Sequence, residues 1–151
     1  QVIEYFFVRA QNYYFLEELK SIDMNNVLIT MKLRKILANY KKVTNEREAL
    51  KLVLKRAIDI PKFKTWINSN SEHFDIYCRS QGYKIDLSKE DKKIISNIVE
   101  RVYGYRCSIA HAKGDVEEYI AIPNISRKII AAEIPLVKYL AYEVIKNCSE
   151  I

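Results

Sequence analysis

At 151 residues, the chain is long enough to bury an apolar core without disulfides or a metal to hold it. Cys78, Cys107 and Cys148 are widely spaced and odd in number, which argues against a disulfide framework and a zinc ligand set and fits a reducing cytoplasm. The formal charge of +6 suits a polyanionic partner, since basic surfaces bind nucleic acid through phosphate neutralisation, although a solvated basic face has the same composition.

Only 3 Gly and 3 Pro punctuate long runs of Ile, Leu, Val, Lys and Glu, so the composition favours an all-α fold with short connections. Glu4, Arg9, Glu17 and Glu18 break up the apolar residues of the first segment and leave no signal-peptide core. No later run approaches the length of a bilayer span, so a soluble protein with no membrane partner is expected. A helical pattern begins at once from Gln1, and no repeat, low-complexity tract or linker follows. Residues 1–151 therefore read as a single domain, one that can belong to a longer protein.

In chain order, residues 2–19 place Ile3, Phe6, Phe7, Ala10, Tyr13, Tyr14 and Leu19 at mostly helical spacing, giving one helix with a wide aromatic face. Asp23, Asn25 or Asn26 can cap a second helix with a stripe of Leu33, Ile36, Leu37 and Tyr40, closed by Lys41 and Lys42. Asn45, with Glu48 three residues on, offers a capping-box start to a third helix carrying Ala49, Leu52, Val53 and Ala57. Between Asp59 and Leu87 the pattern is mixed. Pro61 can open a short helix through Trp66, Ser71 can cap another through Cys78, and Gly82 is a stop.

Ser88 is placed to start a long helix whose Ile94, Ile95, Ile98, Val99, Val102 and Ile109 define the core side, with Gly114-Asp115 as its stop. Residues 116–122 partly alternate and can be extended. A last helix over about 126–147 carries Ile130, Ile134, Val137, Ala141 and Val144 at helical spacing, and Pro135 is expected to kink it or reset its start. Trp66 reads as a partly buried anchor. His73 has no companion at metal-ligand spacing, so no metal and no cofactor is expected.

The segment with the most chemistry is Tyr103-Gly104-Tyr105-Arg106-Cys107-Ser108-Ile109-Ala110-His111, near the end of the long helix. A guanidinium can hold a phosphate, and an imidazole can move a proton near neutral pH. The plain alternative makes Arg106 a surface residue paired with Asp115 or Glu117, and His111 a helix-end residue favoured by the dipole. Cys107 reads as small buried filler.

Arg-x-x-Ile-Ala-His, residues 106–111, late in an all-helical chain resembles the signature of the HEPN superfamily of small all-α domains in toxins, phage-defence proteins and CRISPR-associated ribonucleases. The resemblance implies a HEPN-like bundle of four to five main helices plus short ones. It also implies metal-independent cleavage of single-stranded RNA in phage defence, toxin–antitoxin or stress response, with Arg106 and His111 as catalytic residues. Tyr103, Tyr105 and Lys113 would contact RNA, and an antitoxin or regulatory domain is an expected partner. Two positions depart from the family: Cys107 replaces a residue that is often polar, and Lys113 stands where one toxin branch has tyrosine. Cys107 favours the alternative of an inactive HEPN-like module that binds RNA or a protein partner. Five residues along an ideal helix rotate a side chain by about 500°, so Arg106 and His111 point about 140° apart. A homodimer that brings two such helices together would complete the site, as the family is understood to do.

Overall fold

The computed structural model describes residues 2–23, 28–42, 45–79, 82–110 and 127–148. Its described residues form an all-α fold with no strand. The segment expected as one helix over 2–19 is two: α1 (Val2–Tyr5) and α2 (Phe7–Lys20), separated at Phe6. Phe6 donates its amide to Ile3 at 3.1 Å and accepts from Ala10 at 2.9 Å, and its ring is buried. Phe6 keeps right-handed backbone angles (φ −88°, ψ −4°), so the interruption is a single turn residue that helical spacing alone does not reveal.

Helix α3 (Ile29–Lys42) lies against α2. It starts beyond Asp23, and the other two expected caps, Asn25 and Asn26, lie outside the described residues. Helix α4 (Glu46–Ala57) begins at Asn45, whose side chain accepts from the Arg47 amide at 2.8 Å. The cap is thus an Asn-to-second-residue bond, which satisfies one of the helix's unpaired amides. Ala49, Leu50, Val53, Leu54 and Ala57 are buried, so α4 runs through the core and touches α2, α7 and α8.

Helix α5 (Ile60–Asn68) follows an Asp59 cap with Pro61 in its first turn, and it buries Ile60, Phe63 and Ile67. Asn70, rather than Ser71, caps α6 (Ser71–Phe74): its side-chain Oδ1 accepts from the Glu72 amide at 2.9 Å. From Asp75 to Arg79 the turns widen into a π-helical segment that buries Tyr77. Gly82 then turns the chain at a φ of 111°, in the region that favours glycine. The Ile85 amide ties back to the Tyr77 carbonyl at 2.8 Å.

Helix α7 (Asp91–Ala110) starts three residues later than Ser88. The Ser88 amide and hydroxyl both donate to Asp86, at 3.0 and 2.6 Å, so Ser88 belongs to a turn. The Glu90 carbonyl instead accepts the first helical bonds, from Lys93 and Ile94. Ile94, Ile95, Ile98 and Val99 are buried as expected.

Helix α8 (Arg127–Cys148) keeps Pro135 inside it. Its buried face is Leu136, Leu140, Val144 and Cys148, whereas Ile134 and Val137 are 46% and 43% exposed. The expected stripe is therefore turned about the helix axis. Aliphatic residues surround α8 on most sides, so spacing alone cannot choose the face. Two polar anchors choose it: Glu133 reaches the buried Arg101, and the Asn147 side chain donates to the Ala57 carbonyl at 2.8 Å. The buried residues of α2, α4, α5, α7 and α8 join one contiguous core.

Candidate functional site

The sequence around residues 101–108 places two arginines on α7 in opposite environments. Arg101 is 1% exposed, and its guanidinium donates to Glu133 at 2.9 and 2.6 Å, to the Tyr83 carbonyl at 2.8 Å and to the Ile76 carbonyl at 3.1 Å. It also lies 5.1 Å from the Tyr77 ring centre and 5.3 Å from that of Tyr105. Such a fully hydrogen-bonded buried pair joins α7, α8, the π-helical segment and the strip before α7. The Tyr77 hydroxyl donates to the Ala132 carbonyl at 2.8 Å, in the turn that precedes Pro135, where the ladder of α8 is opened. Burial, and then Glu133, pushes the Tyr77 hydroxyl up to about 12.

Gly104 and Tyr105 follow from the same packing. A side chain at Gly104 would put its Cβ within 2.3–2.8 Å of the Tyr83 ring, so the ring requires glycine at that point of the helix. Tyr105 meets Tyr83 edge to face at 5.8 Å, and burial raises its hydroxyl above the usual range. Tyr103 is half-buried and packs against the core. Both tyrosines named above for RNA contact make packing contacts, Tyr103 with the core and Tyr105 with Tyr83.

Arg106 projects outward. Its guanidinium hydrogen-bonds Glu46 through both terminal nitrogens, the longer contact being 3.5 Å, and pairs with Glu4 at 3.0 Å. Hydrogen bonding to Glu46 holds the guanidinium still more firmly protonated. Glu46 sits in the first turn of α4, where the helix dipole favours a carboxylate. A second rung beside it pairs Arg47 of α4 with Glu100 of α7. Asp115 and Glu117, the pairing partners considered from sequence, lie outside the described residues. So do His111 and Lys113.

Cys107 and Ser108 turn inward and are buried, and the Ser108 hydroxyl donates to the Gly104 carbonyl at 2.8 Å. Arg106 is thus the exposed member of a helical turn whose next two residues are packed. Glu4 and Glu46 are the residues that sequence reading missed. Glu46 lies 60 positions from Arg106, and no local pattern encodes a contact that only the assembled bundle makes.

Around His73, Trp66 stacks on Tyr139 at 4.5 Å and tilts over the imidazole at 4.6 Å. His73 Nδ1 is buried without a hydrogen-bond partner among the described residues. Trp66 is half-buried, as its anchor reading implies. Among the described residues no three of His, Cys, Asp and Glu converge as metal ligands, and no helix is long and apolar enough to cross a membrane. Compared with known protein families, curated proteins and solved structures, the chain matches none.

Proposed function

We propose that the chain is a HEPN-like domain and a metal-independent endoribonuclease that cleaves single-stranded RNA as a homodimer in the cytoplasm. Phage defence, a toxin–antitoxin pair or a stress response is its setting, with an antitoxin or regulatory domain controlling it. The observation that carries this reading is Arg106. It is an exposed guanidinium near the end of α7, at the first position of the Arg-x4-His motif in the sequence, on an all-α bundle, held outward between two carboxylates.

Exposed pairs of this kind contribute only up to about 1 kcal/mol, so a phosphate can displace Glu46 and take the bidentate contact. In the reaction, the ribose 2′-oxygen attacks the adjacent phosphorus and the bond to the 5′-oxygen breaks. The products are a 2′,3′-cyclic phosphate and a 5′-hydroxyl. His111 takes the 2′ proton or protonates the leaving 5′-oxygen, which is worth about 10² to 10⁴ in rate. Arg106 neutralises the charge that grows on the phosphate oxygens. On an ideal helix two side chains five residues apart point about 140° apart, so in this proposal the second copy supplies the complement.

A second reading, an inactive module that binds RNA or a protein, is favoured by one observation: both Glu4 and Glu46 already neutralise Arg106. Incubation with single-stranded RNA in EDTA separates the two, with Arg106→Ala and His111→Ala variants alongside. Cleavage by the parent protein and by neither variant supports the nuclease; binding without cleavage supports the module. Neither binding nor cleavage at low salt sinks both readings. Sedimentation adds a further check, because a strict monomer at high concentration removes the shared site.

A further inference from the structure

We infer that the outward face of α3, formed by Lys32, Arg34 and Lys35, is an RNA-backbone-binding surface that delivers the strand toward Arg106; this rests on the RNA reading above. Helix α3 carries Lys32, Arg34, Lys35, Lys41 and Lys42 and no carboxylate at all. Several cations elsewhere are matched, among them Lys20 with Glu17, Arg47 with Glu100, Lys62 with Asp59, Arg79 with Asp75 and Arg101 with Glu133. Others, such as Lys64, Lys92 and Lys93, are not matched among the described residues, so what sets α3 apart is a run of cations with no carboxylate on the same helix. Lys32, Arg34 and Lys35 are exposed and take part in none of the ion pairs among the described residues.

The apolar side of α3 is already occupied. Ile29, Leu33 and Ile36 are half-buried, and Tyr40 closes the contact with α2. Its ring lies 4.7 Å from Phe15, and its hydroxyl donates to Asn12 at 3.0 Å. At 100° per residue, Arg34 and Lys35 fall about 130° away from that stripe on either side. This arrangement decides between two polyanions. A helix that binds an anionic membrane buries its apolar face in the lipid and leaves its cations at the rim. Here the apolar stripe of Ile29, Leu33 and Ile36 packs toward α2, and Leu28, Met31 and Leu37 stand exposed singly among the cations rather than as one continuous apolar face. What remains suits separate phosphates on a strand.

Placement supports the same partner. From Lys32 to Lys41 the cations extend about 14 Å along the axis. From the end of α3 to Glu46 is four residues, which span at most about 14 Å even when extended. Since Glu46 holds Arg106, the basic helix ends close to the candidate reaction centre.

The test is the salt dependence of binding to a fluorescent 2′-O-methyl RNA, which lacks the attacking hydroxyl. A combined K32Q, R34Q and K35Q variant is compared with one that changes the same amount of charge elsewhere, K84Q, K89Q and K93Q. Those lysines line a cleft of about 290 Å³ beside the start of α7. Circular dichroism confirms that both remain folded, as exposed substitutions should. For single strands each phosphate contact contributes about 0.7 to the slope of log K against log salt, so the α3 variant should lose about 2 units of slope and the cleft variant far less. Equal losses from the two variants would show bulk charge at work and overturn the inference. An unchanged slope with RNA still bound overturns it too, while leaving the proposed function standing. Loss of binding to phosphatidylserine vesicles, with the RNA slope intact, assigns the face to a membrane instead and overturns it as well. If the parent protein binds no RNA at low salt, the proposed function and this inference fall together.

Discussion

Two arginines five residues apart on α7 are both held by glutamates, yet they do opposite work. Arg101 is 1% exposed, and each of its three guanidinium nitrogens donates to a carboxylate or a backbone carbonyl, so burial keeps a competing anion out. The Arg106 side chain is 46% exposed, and its partners are two exposed carboxylates from α1 and α4. A paired arginine is therefore structural or available according to whether water, and with it a competing anion, can reach the pair. The contrast also shows why helix position matters. Five residues turn the side chain from the α8 side of the helix to the outer edge where α1 and α4 begin.

Removing Arg101 should have the largest effect. Arg101→Met leaves Glu133 and the carbonyls of Tyr83 and Ile76 without their donor, and breaking a buried pair this way costs about 3–5 kcal/mol. Urea denaturation measures it, and a loss below about 1 kcal/mol would show that water already serves the pair. Adding Glu133→Leu should recover part of the loss, because the stranded charge is then gone.

The next effect belongs to the same centre and depends on pH. Tyr77 is pushed up to about 12 by burial and then by Glu133, from an ordinary value of 10.0. The fold favours the neutral hydroxyl, so this contribution is complete below pH 10 and is lost as the pH climbs toward 12. Tyr139 is raised to about 12 in the same way, burial first and Glu143 next, and titrates over the same window. Stability should fall between pH 10 and 12, and Tyr77→Phe should flatten that fall. A parallel decline in both proteins would remove Tyr77 as its source.

How much of this was legible depended on how local the determinants were. Asn45 announces the start of α4 because a side-chain oxygen two residues before a free amide is a local arrangement, and Pro61 marks the first turn of α5, although the Asp59 cap before it was not read. The same logic fails at Ser71 and Ser88. At α6 the neighbouring Asn70 takes the free amides, and at Ser88 the Asp86 carboxylate draws the serine's own amide and hydroxyl into a turn, neither of which a single residue reveals. The face of α8 was legible only at Val144, since aliphatic residues on both sides satisfy the spacing and the choice rests on Arg101 and Ala57, far away in sequence. At the candidate site, Arg106 was legible as a cation on an outer turn. Glu4 and Glu46 were not, because the bundle alone brings them to it.

Gly104→Ala is expected to be smaller in effect. The added Cβ meets the Tyr83 ring, an overpacking cost of about 1–3 kcal/mol, offset by the roughly 1 kcal/mol that alanine gains over glycine inside a helix. The net loss should vanish in a Gly104→Ala, Tyr83→Ala double variant measured against Tyr83→Ala alone. If the loss persists there, its origin is the helix and not the ring.

The smallest stability change should come from Arg106, and it sharpens the contrast most. Arg106→Ala should move stability by at most about 1 kcal/mol, as exposed pairs do, whereas cleavage should drop by about 10² to 10³ if the guanidinium neutralises developing charge. Glu46→Gln probes the same pair from the other side. Freed from one carboxylate, Arg106 should hold a 2′-O-methyl RNA roughly two- to fivefold more tightly, the equivalent of a weak exposed pair. Any lost negative charge tightens RNA binding to some extent, so the deciding quantity is the double variant. In an Arg106→Ala background, Glu46→Gln should give back most of that gain, because the carboxylate no longer competes for the phosphate's ligand. If the gain is the same in both backgrounds, Glu46 acts through overall charge, and Arg106 is a surface pair with no part in binding.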